Sequence, residues 1–208
     1  CWVESPMPEN STDFRRTRQL TLHLRKVEYL NPKEVWFTVP TVSNEIPQTM
    51  ETSRFIAFET SIHEDDWRQK EFLNPASMPL IDMEFARIEE IRRNKSKQVD
   101  EKFTGFSECH IRDMIGDPGL PIDLVALQRL LGVDRIGALK VAGEFVADSF
   151  ALKTRHTGYY GTIVNNKVTQ LCIASWNEHT NDEIHILVKE FDLVFVNWYS
   201  CEKMTTYD

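Results

Sequence analysis

Two histidines and three carboxylates fall within the nine residues Asn177-Glu178-His179-Thr180-Asn181-Asp182-Glu183-Ile184-His185. Imidazole nitrogen and carboxylate oxygen together make a donor set that zinc or a similar divalent ion accepts. Read as a loop running into a strand, the segment puts Glu183 and His185 on one face, with His179 able to fold back toward them. The spacing matches no metal-ligand motif, however, and polar loops between strands are usually wet. The expectation is a solvated acidic loop with no metal and no other cofactor. Its use is recognition, with Glu178, His179, Asp182 and Glu183 as candidate contacts to a partner. A second acidic run, His63-Glu64-Asp65-Asp66, ends at Trp67. Here Glu64, Asp65 and Asp66 are the candidate contacts and Trp67 an exposed aromatic anchor.

Covalent catalysis would need a nucleophile within reach of a base. None of the local signatures GxSxG, HExxH, the P-loop or GxGxxG occurs. Cys109 and His110 are neighbours, but adjacent side chains diverge, so a Cys/His pair would require His23, His156 or another distant histidine. An enzyme is therefore the less favoured class, and Cys109, His110 and His179 are the first residues to inspect for one. The four cysteines, Cys1, Cys109, Cys172 and Cys201, include no CxxC pair, which removes zinc-ribbon and thioredoxin-type sites. Cys172 and Cys201 lie in apolar, strand-like segments. They are read either as a disulfide, with Cys109–Cys201 as the other pairing, or as inert core thiols.

Charge narrows the partner. The chain has 208 residues, 24 Lys and Arg against 32 Asp and Glu, and a net charge of -8. A phosphate backbone gains nothing from such a surface, so nucleic acid is not an expected partner. Leu127, Leu131, Gly132, Val133, Ala138 and Val141 do follow the spacing of a helix-turn-helix. The would-be reading helix offers only Arg135 and Lys140 as basic groups, and a plain helical hairpin is the preferred reading. The excess acid lies toward the two ends, with 3 basic and 7 acidic residues from 157 to 208. A basic protein surface is the complement to expect. No run of about 18 apolar residues exists to cross a bilayer.

The elements that must hold these residues are legible as periodicities. Leu20, Leu22 and Leu24 alternate with polar residues, Val35, Phe37 and Val39 do so again, and 54–62 forms a third apolar strand. Residues 40–50 and 63–76 read as loops, the latter with a short helical turn. Pro79 opens a helix whose face is Ile81, Phe85, Ile88 and Ile91. Asp123 caps a second helix that Gly132 ends, and Asp134 is expected to cap a third, Arg135 to about Leu152. Asn165-Asn166 marks a tight hairpin between 159–164 and 167–176, and 183–189 and 193–199 complete four C-terminal strands. The expected fold is α+β: antiparallel sheet from three N-terminal and four C-terminal strands, with about three helices between them. Residues 18–208 form one domain, and the first and last strands are free to share a sheet.

Residues 1–17 are rich in Pro, Ser, Asn and charge without periodicity, and read as a flexible tether. A cysteine at position 1 followed by such a tether resembles a mature bacterial lipoprotein, lipidated at Cys1, with Trp2 favouring the outer membrane of a Gram-negative cell. In organisation the chain resembles the periplasmic lipoprotein immunity proteins of secreted-toxin systems such as type VI secretion. That resemblance implies a membrane contact only through the N-terminal lipid, and a toxin enzyme as the protein partner, inhibited by occlusion of its active site. The alternatives are an envelope hydrolase with a site assembled from distant residues, and a structural lipoprotein of an envelope assembly.

Overall fold

The computed structural model describes residues 36–99, 104–113 and 119–206. Cys1, the tether and the first expected strand lie outside them. The centre is a six-stranded antiparallel sheet, in the order β10 (Ser149–Lys153), β11 (Gly158–Val164), β12 (Lys167–Ser175), β4 (Lys70–Leu73), β13 (Val194–Asn197), β14 (Glu202–Met204). One face, carrying Tyr159, Leu171, Phe72 and Phe195, is covered by α2 (Leu124–Leu131) and α3 (Thr180–Phe191) through Leu124, Leu127, Ile184, Leu187 and Val188. Against the other face, Leu73, Val194, Val196 and Trp198 meet Ile81, Phe85 and Ile88 of α1 (Met78–Asn94).

A second sheet packs beside α1 on that face. Its strands run β2 (Thr49–Met50), β9 (Glu144–Val146), β8 (Ala138–Val141), β3 (Glu59–Ile62), with β3 and β8 parallel. Leu139, Val141 and Val146 point inward against Tyr160, Cys172 and Trp67. Two small pairs remain, parallel β1 (Thr41–Ser43) with β7 (His110–Arg112), and antiparallel β5 (Ser96–Gln98) with β6 (Thr104–Phe106). The fold is α+β with largely antiparallel sheets, as the sequence implies. No helix among the described residues is long and apolar enough to cross a membrane.

Several expected elements form where their local chemistry places them. Asp123 accepts the Val125 N–H at 2.9 Å to open α2, and Gly132, at φ 64°, ends it. Asn165 and Asn166 both adopt positive φ, which gives the tight β11–β12 turn its hand. Several expectations are corrected. The loop expected over 63–76 holds β4, buried between β12 and β13, and the loop expected over 40–50 holds the short strands β1 and β2. The third helix does not exist: residues 138–153 form β8, β9 and β10, turned at Ala142-Gly143 and Ala147-Asp148, where Ala142, Gly143 and Asp148 take left-handed φ that no helix accommodates. The helix-turn-helix reading falls with it, since its second helix is strand β8. The strand expected over 183–189 lies inside α3, where Ile184, Leu187 and Val188 are buried at helical spacing while His185 and Ile186 face outward.

Candidate functional site

The acidic stretch is split by the start of α3, so its residues have different fates. Thr180, fully buried, accepts the Asn177 N–H at 2.8 Å, and its own N–H donates to the Asn177 carbonyl at 3.1 Å. This reciprocal pair satisfies backbone groups that a helix start would otherwise leave open. The loop 154–157 closes against it through Thr157 Oγ1, 3.2 Å from Thr180 Oγ1. Glu183, one turn into the helix, is half-buried and accepts two hydroxyls on one oxygen, Tyr159 at 2.9 Å and Thr154 at 3.0 Å. It is an internal brace. Glu178, His179 and Asp182 are exposed.

The fold adds neighbours that sequence spacing cannot show. The His156 ring meets the His179 ring edge-on, with centroids 4.9 Å apart. Trp176, 41% exposed, leans on Phe195 and carries the Lys70 ammonium 5.5 Å above its ring. Ile186, 50% exposed, lies one turn beyond Asp182 on the outer face of α3. The start of α3 thus shows exposed acidic side chains next to an indole capped by a lysine, with an exposed isoleucine further along the helix. Burial and the Glu183 carboxylate push the Tyr159 hydroxyl well above its usual range, so it donates and does not act as a base. Among the described residues no group of three His, Cys, Asp or Glu is arranged to hold a metal ion.

The other acidic run is distributed differently. Glu64, Asp65 and Asp66 form a 3-10 turn opened by His63, whose Nδ1 accepts the Asp65 N–H at 3.2 Å. Trp67 is not the exposed anchor expected. It is 3% exposed, with its ring 5.6 Å from that of Tyr160, because the chain turns inward at the end of the 3-10 turn.

That inward turn delivers the buried charges that sequence reasoning missed. Arg68, at φ 56°, donates its backbone N–H to the Tyr160 hydroxyl at 2.9 Å and sends its side chain into the core. Its guanidinium bonds Glu71 through Nε and Glu45 through Nη1, each at 2.7 Å. Glu71 also accepts the Trp198 indole N–H at 2.7 Å, and Glu45 takes the Gln170 amide. Arg112, nearly buried, donates to Thr41 Oγ1 at 3.1 Å and to the Arg68 carbonyl at 2.9 Å, over the Trp198 ring. Burial lowers its pKa to about 10, against the pull of Glu71 first, so it remains cationic at neutral pH. Glu84 accepts hydrogen bonds from Arg87 and from His110 Nε2. These groups answer one another and pin β1, β7 and the loop after β1 to the sheet. The sequence offers no local signal for them, since 63–76 reads as a loop there, whereas the structure turns Glu71 of β4 into the core.

The thiols are equally settled. Cys109, Cys172 and Cys201 are free, so the expected Cys172–Cys201 and Cys109–Cys201 pairings are not formed. Cys172 packs with Trp67 and Tyr160, whereas Cys201 packs with the α1 cluster around Trp198. Burial first, then Asp65, push the Cys109 thiol up to about 11 despite Arg112. His110 beside it is bound to Glu84, and the contact of the Cys109 thiol is with the His110 carbonyl at 3.9 Å, so among the described residues the two do not form a Cys/His pair. Alkylation of Cys109 in the folded protein is therefore expected to stay slow at pH 8 and to accelerate only toward pH of about 11. The unfolded thiol ionises at lower pH, so the unfolded chain binds fewer protons across that window. Stability should fall as pH rises through it, and fall less steeply in Cys109→Ala. Reaction at pH 8 as fast as in urea would contradict this placement.

The structure thus defines an α+β domain whose described ionisable groups are either paired inside or displayed on the surface. Compared with known proteins, the chain matches no family, no curated protein and no solved structure.

Proposed function

We propose that this chain is a protein-binding protein, acting as an immunity protein that inhibits a secreted antibacterial toxin by covering its active site. The observation that supports it best is the surface at the start of α3. There Glu178, His179 and Asp182 are exposed, as are Trp176 and Ile186, while the half-buried Glu183 and the buried Thr180 brace the backbone. A rigid surface with aromatic and aliphatic anchors and an acidic surround suits a basic protein cleft. Occlusion needs no chemistry from the chain, which agrees with thiols held protonated and a tyrosine held as donor.

The test couples capture to inhibition. Tagged chain is used to retain partners from extracts of the source cells, and a retained enzyme must lose activity as chain is added up to stoichiometry. Glu178→Lys with Asp182→Lys is expected to weaken binding at least about tenfold, chiefly by slowing association, with the effect shrinking in high salt. A partner whose activity is untouched, or binding indifferent to the double reversal, would overturn the reading.

One observation favours a second reading, a hydrolase assembled from distant residues: the rings of His156 and His179 converge at the start of α3. It requires turnover that His179→Ala abolishes without unfolding the protein.

A further inference from the structure

The segment Asn44-Glu45-Ile46-Pro47-Gln48-Thr49-Met50 runs from β1 to the edge strand β2 on the surface. Asn44, Gln48, Thr49 and Met50 are exposed, Ile46 is 54% exposed, and none of the seven belongs to a core cluster. Its backbone ties are few. The Asn44 N–H donates to the Arg112 carbonyl at 3.1 Å, the Ala147 N–H donates to the Gln48 carbonyl at 2.7 Å, and β2 pairs with β9 over two residues. Among the described residues, Glu45 is the only one of the seven whose side chain makes a hydrogen bond or an ion pair. That carboxylate accepts Arg68 Nη1 at 2.7 Å on one oxygen and the Gln170 amide across both, at 2.7 and 2.6 Å. An otherwise unanchored surface segment is thus fastened by one carboxylate to a buried guanidinium. The fastening is separable from the core, because Arg68 Nε keeps its bond to Glu71 when Glu45 leaves, and the guanidinium keeps a counter-charge. Detachment uncovers no core side chain, and segments of that kind open far below the cost of global unfolding.

We propose that residues 44–50 are a strap that opens as a unit, and that Arg68 with Gln170 beneath it is a carboxylate receptor, filled by Glu45 when the strap is shut and by an acidic side chain of a protein partner when it is open. The geometry of the receptor is displayed by its present occupant: a guanidinium and an amide converge on one carboxylate with three short bonds. A cation would be repelled by Arg68, and a phosphate would set its second charge beside Glu71, which already shares that guanidinium. The strap also shows the form of its competitor, since it is itself an extended segment carrying a glutamate. The receptor is separate from the start of α3. It rests on the protein-binding reading only for the source of the carboxylate.

The test follows amide hydrogen exchange and 15N shifts of the intact chain with small probes, so its outcome is separate from that of any capture experiment. The Asn44 and Ala147 amides are expected to exchange at least about a hundredfold faster than those of β11 and β12, and at a rate indifferent to low urea. In Glu45→Ala, acetate added to about 100 mM should shift the Gln170 side-chain amide saturably, and acetamide should not. In the unaltered chain acetate competes with Glu45 for the receptor, so it should speed Asn44 and Ala147 exchange about threefold or more, while chloride at the same ionic strength and acetamide leave it unchanged. A purely structural ion pair predicts otherwise, with the response confined to Glu45→Ala. That confinement, exchange of Ala147 only through global unfolding, or an equal response to acetamide would overturn the proposal. Capped glutamate should act at least as strongly as acetate. A receptor that takes acetate and refuses capped glutamate would serve a free small carboxylate, which would overturn the assignment to a protein side chain. If the strap stays shut while an inhibited partner is captured through the α3 surface, the proposed function stands without it.

Discussion

Replacing Glu71 by alanine is expected to lower the free energy of unfolding by about 3–5 kcal/mol, with the denaturant slope unchanged. The carboxylate is 3% exposed and serves two donors at once, Arg68 Nε and the Trp198 indole. Its removal leaves a buried guanidinium with only the half-exposed Glu45 as counter-charge, and a buried N–H with no acceptor. With Glu71 present the carboxylate neighbours hold the Arg68 pKa above the usual arginine range against the cost of burial, and without it the guanidinium, which keeps its proton at neutral pH, stays charged in the core. Glu71→Gln keeps an acceptor for Trp198 and should cost less. Glu45→Ala should cost less still, since its carboxylate is partly in water. The double change Arg68→Met with Glu71→Leu should recover much of the loss, because an apolar pair of similar volume has no charge to desolvate. Urea unfolding of the four variants gives the order directly. A loss below about 1 kcal/mol for Glu71→Ala would mean that water reaches the site and that the network is not the pin described.

The second large effect belongs to Gly161→Ala. A Cβ at this position would lie 1.9 Å from the Gln170 carbonyl oxygen and 3.0 Å from Phe150. The obstacle is backbone of the adjacent strand, so no rotamer change relieves it, and β11 would have to part from β12 near the middle of the sheet. The expected result is a loss at the extreme end of single substitutions, about 4 kcal/mol or more, read as accumulation in the insoluble fraction or an early denaturant midpoint. Gly143→Ala is the control. Nothing lies within 4 Å of its added methyl, and only its φ of 89° opposes the change, at about 1–2 kcal/mol. Equal behaviour of the two variants would contradict the close approach of β11 and β12.

What could be read in advance followed from local chemistry. Asp123 and Gly132 bracket α2, and Asn165-Asn166 turn the hairpin, because caps and positive-φ positions act over a few residues. The errors arose where a period was ambiguous. Ala138, Ala142, Gly143 and Ala147 imitate a small-residue helix stripe, yet the left-handed turns at 142–143 and 148 cut the segment into strands. Ile184, Leu187 and Val188 carry a helical signature, but the neighbouring apolar residues suit a strand equally well. In the candidate site, the exposure of Glu178 and Asp182 was legible from their polar surroundings. The bracing of Glu183 by Tyr159 and Thr154 was not, nor was the meeting of His156 with His179, because each depends on segments more than twenty residues apart. Trp67 failed for the same reason: a polar run announces a turn, but only the Tyr160 hydroxyl and the sheet beneath decide that the chain dives after it.

The place of β4 in the central sheet sets the order in which the chain can be completed. Two of its residues, Glu71 and Phe72, pair on one side with β12, roughly a hundred positions later, and all four pair on the other with β13, later still. Such distant pairings make the sheet slow to assemble relative to the α1 helix and the β11–β12 hairpin, which need only their own neighbourhoods. A nascent chain therefore emerges with β4 as a bare seam, and the seam closes only when the last forty residues arrive. Any step that must meet the protein unfolded has that interval in which to act, and any truncation upstream of Val194 would keep the seam open permanently, as an adhesive strand edge.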